Sequence, residues 1–204
     1  MTTFFDTLKL SFKDVPITAD GKIPTAEFLD AAQSLVTLFD ILGSSAFVPV
    51  QNDMNGNIKK IREYLLANPV AAATLQDLIL SEKDTKKKTA TQGLLWLTRG
   101  LAFTALALRN NINDPSQELT VSFTDSYSKT LSKYHNFVVR GIFSLAMKAC
   151  PYRKDFYIKL ASGSTDPVLL QRVAELLDEW VAALEKIVEI IEKFFESGNY
   201  GKGL

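Results

Sequence analysis

Asp53, Asn57 and Lys60 stand at spacings of i, i+4 and i+7, which at about 100° per residue places them within an arc of about 60° on one helix face. Tyr64 continues that stripe beside an apolar stripe of Met54, Ile58, Ile61 and Leu65, while Lys59, Arg62 and Glu63 point elsewhere. A carboxylate that accepts, an amide that does both and an ammonium that donates form the inventory needed to hold several sugar hydroxyls at once. The same residue types also make an ordinary polar helix face, and Asn55-Gly56 reads as a turn that blurs where the helix begins.

Two rings add to this set. Trp96 lies one helical turn before Gly100, so no side chain protrudes beside the indole on that side. An accessible indole with a polar rim is a platform for the C–H face of a pyranose, whereas a covered one is plain core. His135, the only histidine, sits in Lys133-Tyr134-His135-Asn136-Phe137 with no acid or second histidine near it in sequence. It serves either as a structural hydrogen-bonder or, uncharged, as a donor to one amide carbonyl of a ligand. No nucleophile and orienting group accompany it. P-loop, GxGxxG, GxSxG and HExxH patterns are absent from the sequence, so binding or transport is expected rather than catalysis.

The elements that must position these residues read as helices throughout. Pro24-Thr25 opens one amphipathic helix through Phe28, Ala32, Leu35, Leu38, Phe39 and Leu42, ended by Gly43. The Met54–Leu65 segment closes at Asn68-Pro69, and a helix from Pro69 to about Ser81 follows. Residues 82–93 read as a polar connection whose Lys86-Lys87-Lys88 run is a solvated loop or a contact for anionic lipid head groups. From Leu94 to about Leu108 the chain is apolar nearly all round, the mark of a central helix covered on several sides. Residues 119–134 and 136–149 form two stretches that meet near His135, a short helix surrounds Phe156–Leu160, and Asp166-Pro167 caps a long last helix carrying Trp180.

Composition limits the partners. Across 204 residues, 23 lysines and arginines balance 23 aspartates and glutamates, so no global basic field exists to hold nucleic acid. One cysteine, Cys150, allows no internal disulfide, and with one histidine no metal site is expected. Without a leader pattern or a long apolar run, the chain reads as cytosolic and soluble, one domain over 1–204.

Taken together, these segments resemble one family. Asp53-Met54-Asn55-Gly56-Asn57-Ile58-Lys59-Lys60 is similar to the D-x-x-x-N-x-x-K segment of glycolipid transfer proteins. Leu95-Trp96-Leu97-Thr98-Arg99-Gly100-Leu101 resembles their tryptophan helix and Lys133-Tyr134-His135 their histidine segment. The likeness runs through Phe39-Asp40-Ile41-Leu42-Gly43 and Pro151-Tyr152-Arg153-Lys154-Asp155-Phe156 to the C-terminus, and is strongest to the fungal branch associated with heterokaryon incompatibility.

The resemblance implies an all-α, two-layer helical sandwich of about eight helices that lifts one glycosphingolipid from a membrane and carries it through water. It needs no cofactor and implies a monomer that docks reversibly on membranes. By position, Asp53, Asn57 and Lys60 would bond sugar hydroxyls over Trp96, with Tyr200 adding a contact. Asp53 and His135 would grip the ceramide amide, and the acyl chains would lie between the layers. Arg99 is left to packing or a rim hydrogen bond. Phe137 stands where many animal members have tryptophan, so membrane docking would rest on Phe137 and Tyr127. Relatives that carry ceramide phosphate place basic residues where Asn57 and Trp96 stand, so an uncharged sugar is expected. A glycolipid-sensing signalling protein, with binding rather than transfer as its output, would use the same site.

Overall fold

The computed structural model describes residues 2–204. Among them are nine α-helices: α1 (Thr25–Val36), α2 (Leu38–Leu42), α3 (Val48–Ala67), α4 (Leu75–Glu82), α5 (Thr89–Asn113), α6 (Leu119–Lys129), α7 (Phe137–Lys148), α8 (Arg153–Leu160) and α9 (Pro167–Ser197). They pack as a two-layer helical sandwich in which α5 touches α3, α4, α6 and α9. Its buried residues fall on several sides, Leu97 and Leu101 as well as Phe103 and Ala107, as its all-round apolar pattern requires. One continuous apolar core runs from Phe4 to Phe195.

The expected first helix is two. At Thr37 the backbone N–H and the hydroxyl both bond to Ser34 O, at 3.2 and 2.7 Å, and this tightened turn separates α1 from α2. Gly43, at φ 74°, ends α2 in the left-handed conformation that glycine adopts freely.

The helix expected from Pro69 begins only at Leu75. Thr25 N donates to Ala73 O at 3.0 Å and Leu75 N to Ile23 O at 2.9 Å. This isolated bridge holds Thr74 extended, and its hydroxyl caps Asp77 N at 3.2 Å. Conversely, Asn55-Gly56 makes no turn. The stripe Met54, Ile58 and Ile61 is buried, and α3 continues through the glycine because packing outweighs its poor helix propensity of about 1 kcal/mol.

Helix α5 starts within the expected polar connection. Lys88 gives it no side-chain cap; instead the buried carboxylate of Glu82 accepts from Thr91 N at 2.7 Å, Thr91 Oγ1 at 2.8 Å and Ala90 N at 3.3 Å. A carboxylate there satisfies orphan amides and suits the positive end of the helix. Lys86 and Lys87 remain exposed in the loop before it. At the other end of the molecule Asp166 caps α9 through Val168 N at 3.0 Å, and Trp180 is buried against Phe5 and Phe12.

Candidate functional site

Two neighbouring cavities open where α3, α5 and the α6–α7 connection converge. The outer one, about 420 Å³, is lined by Asp53, Asn57, Lys60, Gln92, Trp96, Tyr134, His135, Asn136 and Val139. The inner one, about 210 Å³, is lined by Pro49, Val50, Asp53, Met54, Trp96, Gly100, Phe103, Leu131, His135, Val139, Ile142 and Phe143. Asp53, Trp96, His135 and Val139 belong to both. A largely polar cleft and a largely apolar chamber therefore share one wall.

The α3 stripe forms a chain of contacts. Asn57, only 3% exposed, directs its Nδ2 at Asp53 Oδ2 at a long 3.4 Å, and its Oδ1 accepts from Lys60 Nζ at 3.2 Å. Surrounding protein pushes the Asp53 carboxyl above its ordinary value, against the opposing pull of Lys60. With only that weak bond from Asn57, Asp53 keeps acceptor capacity for a ligand. Gly93 of α5 allows α3 to come close: a Cβ there would lie 3.3 Å from Asn57 O and from Lys60 Cβ.

The aromatic wall is tertiary. His135 follows a 3-10 turn, Ser132–Tyr134, and lies parallel to Trp96 with centroids 6.0 Å apart and planes at 6°. Its Nδ1 is 3.0 Å from the Tyr127 hydroxyl. Burial, aided by the positive charge of Arg140, lowers its proton affinity, so the ring is neutral at pH 7. When Tyr127 donates to Nδ1, the ring proton sits on Nε2 and is free to be donated.

Two expected residues fall elsewhere. Tyr127 is only 7% exposed and its hydroxyl is engaged with His135, so it orients the imidazole and offers no membrane surface. Tyr200 lines neither cavity. Its ring stacks on Phe194 at 5.3 Å and covers Gly198, because the chain turns back at the end of α9. Phe137, by contrast, is 89% exposed at the start of α7. Sequence reasoning missed Gln92, Tyr134, Asn136 and Val139 in the outer lining; Gln92 stands one turn before Trp96, and that i, i+4 spacing was the available signal.

The description Glycolipid transfer protein (GLTP) belongs to the family model that matches residues 23–162. The chain belongs to the glycolipid transfer protein family. It is 55% identical to a glycolipid transfer protein of Aureobasidium melanogenum over 195 residues, 96% of this chain and 94% of that one. It is 36% identical to pleckstrin homology domain-containing family A member 8 of Danio rerio over 98% of its own length but only 37% of that relative. Among solved structures, HET-C2, a fungal glycolipid transfer protein, matches with a TM-score of 0.89 and 53% identity over 95% of this chain and 97% of that one. FAPP2, which selects simple glycosphingolipids using the GLTP fold, matches with a TM-score of 0.84 and 33% identity over 98% of this chain and 97% of that one.

Proposed function

We propose that this protein binds one neutral glycosphingolipid and moves it between membranes. The observation that carries the proposal is the pair of cavities joined at Asp53, Trp96, His135 and Val139. Only an amphiphile uses a polar cleft and an apolar chamber that share one wall. Its sugar stacks on Trp96 and its hydroxyls bond to Asp53, Asn57 and Lys60. Asp53 accepts from the ceramide N–H, while Nε2 of His135 donates to the amide carbonyl. The chains pass inward between Met54, Phe103 and Phe143. Close relatives that bear the name glycolipid transfer protein support this reading.

Membrane docking falls to α7. Phe137, Val138, Ile142 and Leu145 are exposed along one arc of this helix, while Val139, Ile142 and Phe143 border the inner cavity. An exposed apolar arc of this kind lies readily in the lipid interface. Residues 1–204 act as one domain, and the carrier works as a monomer that leaves the membrane again. No helix among the described residues is long and apolar enough to cross a membrane.

The test is transfer of labelled galactosylceramide, ceramide phosphate and phosphatidylcholine between vesicles. Galactosylceramide should move and the two phosphate lipids should lag, because their phosphate would face the Asp53 carboxylate. Equal rates for all three would remove the head-group argument.

A further inference from the structure

Arg99 is a partly buried cation that lines neither cavity. Its guanidinium carbon lies 3.7 Å from the centre of the Tyr134 ring and 4.7 Å from that of Trp96. Nη1 is shielded from solvent and has no hydrogen-bond partner, and among the described residues no carboxylate comes within ion-pair distance of the group. A shielded charge is ordinarily paired, since desolvating it is costly. Here two ring faces supply the compensation. A methionine or leucine would fill the same space without that cost, so the cation must serve something other than packing.

What it touches indicates its task. Trp96 belongs to the rigid helix α5, whereas Tyr134 and His135 belong to the connection between α6 and α7. Tyr134 meets Trp96 edge-on, with centroids 6.1 Å apart and planes at 75°, and the next residue, His135, lies parallel to the same indole. Arg99 therefore ties the connection to the helix beside the wall shared by both cavities. Lys133 Nζ also lies 5.0 Å from the Tyr134 ring.

We propose that Arg99 is a positioning residue of the head-group site: wedged between Trp96 and Tyr134, it fixes the Tyr134-His135 segment relative to the indole floor. This rests on the glycosphingolipid reading above and deepens it. The planar guanidinium suits the task because it can lie flat against a ring, which a lysine ammonium cannot do.

The experiment measures equilibrium binding of two radiolabelled lipids, a short-acyl galactosylceramide and the same ceramide without its sugar. The proteins are wild type, Arg99→Met, Arg99→Lys, Tyr134→Leu, the Arg99→Met/Tyr134→Leu double variant and Trp96→Ala. Arg99→Met and Tyr134→Leu should each weaken galactosylceramide about tenfold, equivalent to about 1.4 kcal/mol, and ceramide, which also uses His135 but has no sugar to stack on Trp96, by a clearly smaller factor. The double variant should lose little more than either single one, since both break the same contact. Arg99→Lys should recover only part of the loss. Additive losses, an equal loss for ceramide, or wild-type binding by Arg99→Met would overturn the proposal. If Arg99→Met fails to fold, Arg99→Lys carries the test, since it keeps the charge and loses the planar group: a partial loss larger for galactosylceramide than for ceramide supports the proposal, and wild-type binding of both overturns it. Wild-type galactosylceramide binding by Trp96→Ala would instead overturn the underlying head-group reading.

Discussion

Ligand chain length should decide whether α7 moves. The inner cavity holds about 210 Å³. At about 30 Å³ per methylene, close to a water's share of liquid volume, about seven chain carbons fill it. A sphingoid base of natural length carries roughly twice as many beyond its amide. Leaving about eight methylenes in water forfeits about 6 kcal/mol at about 0.8 kcal/mol each. Helix α7 buries only Phe143, Ala146 and Met147, and at about 1.5–3 kcal/mol for each of its two large buried side chains these hold it by about 3–6 kcal/mol. The two quantities are comparable, so a long chain has enough free energy to displace α7. It cannot displace α9, which is anchored by nine buried side chains. Amide hydrogen exchange followed by mass spectrometry on two complexes tests this, one with a galactosylceramide truncated in both chains and one with natural chains. Exchange in residues 137–148 should be at least about tenfold faster in the natural-chain complex, as expected for about 1.4 kcal/mol of lost protection, with α5 and α9 unchanged. Identical α7 exchange in the two complexes, or opening at α9 instead, would refute the reasoning.

Three further outcomes are expected. Asp53→Asn should lose most galactosylceramide binding yet not lower the melting temperature at pH 7: the folded carboxyl binds its proton more tightly than the unfolded one, so wild-type stability falls as pH rises from the ordinary carboxyl value through the raised one. Melting curves at pH 4 and pH 7 check this, and a lower melting temperature for the amide at pH 7 would contradict it. Phe137→Ser should reduce partitioning onto vesicles severalfold while leaving binding of detergent-dispersed lipid intact, because that ring touches water and not the cavities; a sedimentation assay decides. Gly93→Ala sets about 1 kcal/mol of gained helix propensity against about 1–3 kcal/mol of overpacking on Asn57 and Lys60. Melting should therefore shift by only a few degrees while transfer falls, and unimpaired transfer would show that the α3–α5 spacing does not matter.

Where the sequence could be read, the information was local. The Asp53, Asn57 and Lys60 stripe depends only on helical periodicity, and Met54, Ile58 and Ile61 fix which way it faces. The caps at Gly43 and Asp166 and the all-round apolar character of α5 are equally local. The start of α4 was not, because it is set by pairing between residues 23–25 and 73–75, far apart in sequence. Nor was the start of α5, since Glu82 became a cap only by folding inward beneath it. The family resemblance proposed Tyr200 by position and Tyr127 was added as an interface residue, but their exposure is decided by His135 and Phe194, contacts that no spacing announces.

The site's logic lies in which side of the Trp96–His135 wall each residue occupies. Asn57, Lys60 and Gln92 line only the outer cleft, and Met54, Phe103 and Phe143 only the inner chamber. A sugar-free ceramide senses the second group and not the first. Asp53 lines both, so in the proposed complex its carboxylate accepts from a sugar hydroxyl and from the amide N–H of the same ligand. That double duty explains why a carboxylate stands where the surrounding protein opposes its ionisation. A neutral asparagine would be cheaper to fold around, but it would lose the charge that strengthens both bonds and would turn a donor-only NH2 toward donors of the ligand.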